Sequence, residues 1–418
     1  MSAEIRINCS SPVSQSSPEQ SLKGGFFMVD LSKAGCGTVS ANVARITMAG
    51  LMLAGIVAGA DEAIKLTASP QGCRIGLLGD SLTDGATWPL LIRQAMRDAV
   101  KPVPRFLNCA VGGATAGDNI RPLDEVILPA KPDMIILFCS GGNDLDRKTT
   151  VEQYSKDMEA LVKKICDAKI PLLILRDRLA GPKFMESEQK DLVPYWTATN
   201  QLSKKYVFNI AKPYDYMKKA WESGKWMWED DQNHFNLEGN RCVARTVLDA
   251  LGHQDVPLPD VFSPEPLPGI VCKWRFRPAV KDAPPLDEKS VRELKPDGSW
   301  KDIVIPDLPD PKDGWWWVQV GQEGYWLKLN KELGEAPYYI GMATISSQNA
   351  RKIYLNIGGS VRTVWINGKL VFRENASSPR GFHYGRERIP VELPIGESTV
   401  VVETGNKSIL SLPEEWWW

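Results

Sequence analysis

Residues 74–84 read RIGLLGDSLTD. The short apolar run Ile75 to Leu78 is stopped by Gly79-Asp80-Ser81, the pattern of a strand buried on both faces that ends in a tight turn. Downstream, Trp88, Leu91, Ile92 and Met96 recur at spacings of three and four, which predicts a helix with one apolar side. The same alternation is repeated along the chain. Apolar runs at 106–110 (FLNCA), 134–139 (MIILFC) and 171–175 (PLLIL) predict further buried strands. Between them, Val151, Tyr154, Met158, Leu161, Val162 and Ile165 mark a helix over 151–169 that Pro171 ends. A later helix over 237–251 has Asn236 as its N-cap and Gly252 just past its end. Strand and helix in alternation predict an α/β domain, a mostly parallel sheet with helices on both faces. Ligands of such sheets bind beyond the carboxyl ends of the strands.

That rule directs attention to three loops and one later segment. Ser81 sits at the end of the first strand, where a hydroxyl is lifted above the sheet edge and the dipole of the following helix favours negative charge. The second strand runs into Val111-Gly112-Gly113-Ala114-Thr115, where glycine lets a backbone N–H approach a ligand closely. The third runs into Gly141-Gly142-Asn143-Asp144, which offers a side-chain amide donor at the same edge. Far downstream, Asp231-Gln232-Asn233-His234 sets a carboxylate and an imidazole three residues apart on a loop. A serine hydroxyl is a poor nucleophile until an adjacent base takes its proton, a task suited to an imidazole that titrates near neutrality.

Taken together and in this order, the four segments resemble the SGNH or GDSL hydrolase family: a GDS motif, a glycine after the second strand, GxND after the third, and DxxH near the domain's end. The resemblance covers about 72–253. It implies a flavodoxin-like three-layer α/β fold with a parallel sheet, Ser81 as nucleophile, His234 as general base and then acid, and Asp231 as the group that orients the imidazole. It also implies an oxyanion hole built from the Ser81 and Gly113 N–H groups and the Asn143 side chain. One departure is visible. The second block reads Gly-Gly-Ala-Thr where the family often has Ser-Gly-Asp-Thr, so the hydrogen bonding of the loop around Ala114 is in question.

Composition narrows the alternatives. The chain has 418 residues and a formal net charge of -1, so no positive surplus exists to condense on nucleic acid. Its three histidines, His234, His253 and His383, leave few ways to build an imidazole-rich zinc site, and no CxxC pair occurs. Neither GxGxxG nor a P-loop is present, and the absence of GxSxG sets Ser81 apart from an α/β-hydrolase elbow. No cofactor and no metal are called for.

The run Ile46 to Val57 is apolar, follows Lys33 and Arg45, and leads into Ala58-Gly59-Ala60. This predicts an export signal cleaved after Ala60, with Met28 as an alternative start, and hence a secreted or periplasmic protein without a transmembrane span in its mature form. The six cysteines beyond it, Cys73, Cys109, Cys139, Cys166, Cys242 and Cys272, fit either disulfides or buried thiols.

Beyond the hydrolase-like region the pattern changes. Residues 257–285 are rich in proline and read as an extended connector. Alternating runs at 338–345, 352–357, 363–372 and 398–403, with a hairpin signal at Asn367-Gly368, predict a β-sandwich over 286–418. The stretch Trp300 to Phe372, with GYWLKL, YLNIGG and VWINGKLV, and later LPIGESTVVVE, resembles the galactose-binding-like jelly roll found beside glycoside hydrolase catalytic domains. The expected organisation is therefore 1–60 extension and signal, 61–256 catalytic domain, 257–285 connector and 286–418 sandwich. Ten of the 15 tryptophans lie after residue 260, including Trp315 to Trp317 and Trp416 to Trp418, and suit either sugar stacking or a sandwich core. The expected activity is hydrolysis of small acyl esters, acetyl above all, on carbohydrates. A lipid-directed esterase or thioesterase and a non-catalytic carbohydrate-binding protein are the alternatives.

Overall fold

The computed structural model describes residues 72–84, 87–263, 265, 267–305, 325–374 and 389–413. The expected signal segment, Met28, Ala60, His383, Trp315 to Trp317 and Trp416 to Trp418 lie outside the described residues.

Five strands form a parallel sheet: β1 (Arg74–Gly79), β2 (Arg105–Asn108), β3 (Met134–Phe138), β4 (Leu172–Leu175) and β5 (Asn209–Ala211), in the order β2-β1-β3-β4-β5. This is the flavodoxin-like order. Alternate residues of the strands feed two separate cores. Ile75, Leu77, Met134, Ile136, Phe138, Leu173 and Leu175 meet α1 (Trp88–Asp98) and, later in the chain, α5 (Pro213–Glu222) and α6 (Leu237–Ala250). Leu78, Ile135, Leu137, Leu172 and Ile174 meet α3 (Val151–Asp167) and α4 (Met185–Leu202) on the other face. A period of two in the strands thus serves helices whose buried faces have a period of 3.6. In α3 the five buried residues Tyr154, Met158, Leu161, Val162 and Ile165 are those of the sequence pattern, and the Thr150 side chain caps the helix by accepting from Gln153 N. Asn236 caps α6 as expected, accepting from Glu238 N and Gly239 N. Edge strand β5 is only half-buried and too short to register as an apolar run, which is why the sequence pattern does not reveal it.

The helix dipole does not act at Ser81. Helix α1 begins seven residues later, and its first N–H, on Trp88, donates to Asn240 Oδ1. Ser81 lies instead in a tight turn closed by bonds from Thr83 N and Asp84 N to Asp80 O.

The second region is an antiparallel β-sandwich domain. Its central strands are β9 (Tyr339–Ser347), β10 (Arg351–Ile366) and β13 (Gly396–Ser411), flanked by β6 (Lys273–Pro278), β7 (Lys301–Val304), β8 (Leu327–Lys328), β11 (Lys369–Arg373) and β12 (Ile389–Leu393). Register shifts near Gly359 and Val361 bend the long β10, whose first half pairs with β12 and whose second half pairs with β11. Strand β6 falls within the stretch expected to be connector. Its alternating Trp274 and Phe276 are buried and it pairs with both β7 and β9, so sheet pairing overrides the proline content around it. The proline-rich segment before it is strapped down: Arg93 pairs with Glu265 at 2.6 Å, and Arg241 and Arg245 donate to the carbonyls of Pro259 and Val256. Trp274 and Trp365 fill cores, while Trp300 and Trp326 are half-buried beneath Arg277 and Lys407. The six cysteines beyond residue 72 are free thiols, which closes the question of pairing among the described residues. Among those residues no helix is long and apolar enough to cross a membrane.

Candidate active site

The carboxyl ends of β1, β2, β3 and β4 carry the site. At the end of β1, Gly79 has φ of 149°, and a Cβ there would stand 2.6 Å from the carbonyl oxygen of Phe138 on β3. Glycine lets the first strand press against the third just before the turn that carries Ser81. Asp80 is buried beneath that turn and accepts Leu82 N at 2.9 Å through Oδ1.

Ser81 Oγ lies 2.8 Å from His234 Nε2, and His234 Nδ1 lies 2.5 Å from Asp231 Oδ2. The folded chain therefore brings Ser81 against a pair that lies 153 residues further on at His234. The Asp231–His234 loop is organised by its own carboxylate. Asp231 Oδ1 accepts the backbone N–H groups of Asn233 and His234, both at 2.9 Å, while Oδ2 faces the ring. Burial raises the Asp231 pKa, but these hydrogen bonds outweigh it and hold the carboxyl below its usual range. The loop closes a short hairpin through bonds from Glu229 N to His234 O and from Asn236 N to Met227 O. His253 takes no part in this constellation; it lies after α6, where its carbonyl accepts from Arg245.

The second loop meets the nucleophile turn at Gly112, whose N–H donates to Asp84 Oδ2 at 2.8 Å. A Cβ on Gly112 would stand 3.9 Å from that of Ser81. Ala114 N bonds Val111 O at 3.0 Å and Gly113 has φ of 76°, the features of a type II turn. In such a turn the central peptide, which contributes the Gly113 N–H, is not used by the turn itself. The departure at Ala114 is made good by other residues. Arg147 Nη2 donates to Gly113 O at 2.7 Å, Thr115 N and its hydroxyl donate to Asp118, and Ala116 N donates to Asp144 Oδ2.

Asn143 opens the short helix α2 (Gly142–Asp146), and its Nδ2 donates to Asp80 Oδ2 at 3.2 Å and to Ala114 O at 3.1 Å. The amide sits between the nucleophile turn and the second loop, with both bonds at the long end of the N–H···O range. Burial pushes the Asp80 carboxyl up. Burial likewise pushes the neighbouring Asp144 up to about 6, with Asp157, Asp118 and Asp80 adding to the effect against the Ala116 hydrogen bond.

Several supporting residues escape a motif reading. Asn119 Oδ1 accepts Gly79 N at 2.8 Å, Asn108 Nδ2 donates to Thr83 O at 2.8 Å, and Arg178 lines the cleft with Ser81, Asn143 and Asn233. For Arg178 one signal existed: a charged RDR at the end of the apolar LLIL. Trp221 and Trp226 are exposed and pack against buried Trp228 on the approach to the Asp231 loop. Among the described residues no cluster of histidine, cysteine and carboxylate could hold a metal.

Residues 77–242 match the GDSL-like lipase/acylhydrolase family. No curated protein matches the chain. Similar solved structures include an α/β hydrolase from the metagenome of Lake Arreo, Spain, at 18% identity over 44% of this chain and 96% of that one, with a TM-score of 0.40. An acetylxylan esterase from Geobacillus stearothermophilus is 15% identical over 45% of this chain and 97% of its own, at a TM-score of 0.40. A lipase/acylhydrolase from Enterococcus faecalis is 18% identical over 45% and 100%, at 0.39. The match over residues 77–242, with the Ser81–His234–Asp231 geometry above, makes this region a serine ester hydrolase similar to the GDSL-like lipases and acylhydrolases.

Proposed function

We propose that the protein is a secreted esterase that removes small acyl groups, acetyl above all, from carbohydrates through an acyl-enzyme intermediate. The observation that carries the reading is the continuous line from Ser81 Oγ through His234 to Asp231, at 2.8 and 2.5 Å. His234 takes the hydroxyl proton as Ser81 attacks the ester carbonyl, then gives it to the departing alcohol; water repeats the sequence to release the acid. Asp231, held ionised, fixes the ring tautomer with Nδ1–H toward the carboxylate. The N–H groups of Ser81 and Gly113 are donors for the oxyanion, joined by the Asn143 amide when it exchanges its bond to Ala114 O for the developing charge.

The cleft beside Ser81 is lined closely by Leu82, Asn143, Leu145 and Arg178, which suits a short acyl group. On the Gly112 side lies a groove of about 630 Å³, lined in part by Val111, Arg121, Glu125 and Arg147, wide enough for a bulky alcohol. The apolar run 46–57 supports export, and the exposed indoles of Trp221 and Trp226 suit a sugar ring. The second domain, resembling a galactose-binding-like jelly roll, is consistent with the same substrate class.

Acetate release from a panel of acetylated polysaccharides, with Ser81→Ala as control, tests the reading. Release abolished by the substitution supports it. A preference for long acyl chains in a chain-length series points to a lipid-directed esterase or thioesterase. Glycan binding without reaction of Ser81 with a fluorophosphonate leaves a carbohydrate-binding protein.

A further inference from the structure

Strand β4 is followed by three charged residues, Arg176, Asp177 and Arg178, exposed by only 3%, 9% and 4%. Burying a guanidinium costs several kcal/mol unless its partners are well placed, so each of these charges needs a local reason. Arg176 and Asp177 pair with one another, and Arg176 also donates to Trp196 O on α4. Asp177 holds φ of 57°, a left-handed backbone that turns the chain sharply and sends Arg178 the other way, into the cleft.

There Arg178 Nη1 donates to Asn233 O at 2.9 Å, inside the Asp231–His234 loop. Its Nη2 lies so close to Gly142 that a Cβ on that glycine would stand 3.5 Å away, beside the Asn143 amide. Its charge also acts on Asp80, the carboxylate to which Asn143 donates. One side chain thus bonds the Asp231–His234 loop, lies against the start of the Asn143 helix and shares the cleft with Ser81.

We propose that Arg178 is a positioning residue that holds the base loop and the oxyanion donors of this centre in register, by its bond to the Asn233 carbonyl and by its place in the cleft beside Gly142 and Asn143. The proposal rests on the esterase reading above. The groups that face Asp80 are the Leu82 N–H, Arg178 and His234, which favour its charged form against burial, while Asp144 is a second carboxyl that interacts with it and Cys139 is a neutral thiol nearby. Arg178 works against the burial that raises the Asp80 carboxyl, so without the guanidinium Asp80 takes up a proton at still higher pH.

The test uses the full chain and p-nitrophenyl acetate, with Arg178→Met and Arg178→Lys. Arg178→Met is expected to lower kcat by about 10- to 100-fold with KM changed less than about threefold, since small misplacements of catalytic groups cost rate more than binding. The acid limb of its kcat/KM profile is expected to move to higher pH. Arg178→Lys keeps the cation and is expected to return that limb toward the wild-type position, which also covers the case in which Arg178→Met fails to fold. A wild-type rate in Arg178→Met overturns the proposal. So does an unmoved acid limb in Arg178→Met, or, if that variant does not fold, an acid limb in Arg178→Lys displaced as though the charge were lost. Failure of the esterase reading is told apart by the wild-type protein, which would then neither release nitrophenol nor label at Ser81 with a fluorophosphonate.

Discussion

Asp84 Oδ2 accepts the Gly112 N–H at 2.8 Å, joining the turn that carries Ser81 to the loop that carries Gly113. The carboxylate stands three residues after the nucleophile, and the glycine stands at the second position of the type II turn. Asp84→Ala is expected to free this loop relative to Ser81 and lower kcat by about 10-fold or more while Ser81 still reacts with a fluorophosphonate. Steady-state kinetics beside labelling rates check it.

Gly113 has room for a methyl group, its nearest neighbour in that direction being Arg147 Nη2 at 3.7 Å, so the cost of Gly113→Ala is conformational. A left-handed alanine costs about 1–2 kcal/mol, and rotating the central peptide relieves it by turning the N–H away. The expected outcome is a fall in kcat of roughly 10²-fold with a melting temperature lowered by only a few degrees.

Removal of the amide at Asn143 is expected to cost about 10² to 10³ in kcat and to leave the fold intact. An unchanged kcat in Asn143→Ala would take the residue out of the mechanism. Asp231→Asn is expected to cost about 10³- to 10⁴-fold, because an amide at that position reverses the tautomer that the Nδ1 partner selects.

Asp144 provides a stability test separate from activity. Its folded pKa of about 6 lies above the usual carboxylate value, so the folded state holds a proton there that the unfolded chain has released. The contribution is fully present below about pH 4 and is lost as pH rises toward and through 6. Asp144→Asn is expected to flatten this decline, gaining on the order of 1–3 kcal/mol relative to wild type between pH 4 and 7.5. Urea unfolding at the two pH values checks the sign; a decline as steep in the variant as in wild type would refute it.

The strands and the three-and-four spacing of α1, α3 and α6 were legible because burial on a sheet face or a helix face is a local repeat. Strand β6 was not, since Trp274 and Phe276 alternate over too short a span beside prolines and become a strand only when β7 and β9 flank them. Nor does the order of residues show that Ser81 stands in the Asp80–Asp84 turn, seven residues before α1, and that Asn240, 152 residues downstream of Trp88, takes the helix's first N–H.

By itself the sequence determined the layer architecture, the order of the loops at the sheet edge and the three chemical types, alcohol, imidazole and carboxylate, that those loops carry. Tertiary structure alone decided which distant groups hold them there: Asn119 on Gly79 across 40 positions, Arg178 on Asn233 across 55, Asp84 on Gly112 across 28. The physical reason is range. Apolar periodicity and turn chemistry act between near neighbours and leave a mark in the order of residues, whereas a hydrogen bond between loops has no signature until the sheet has set its strands side by side.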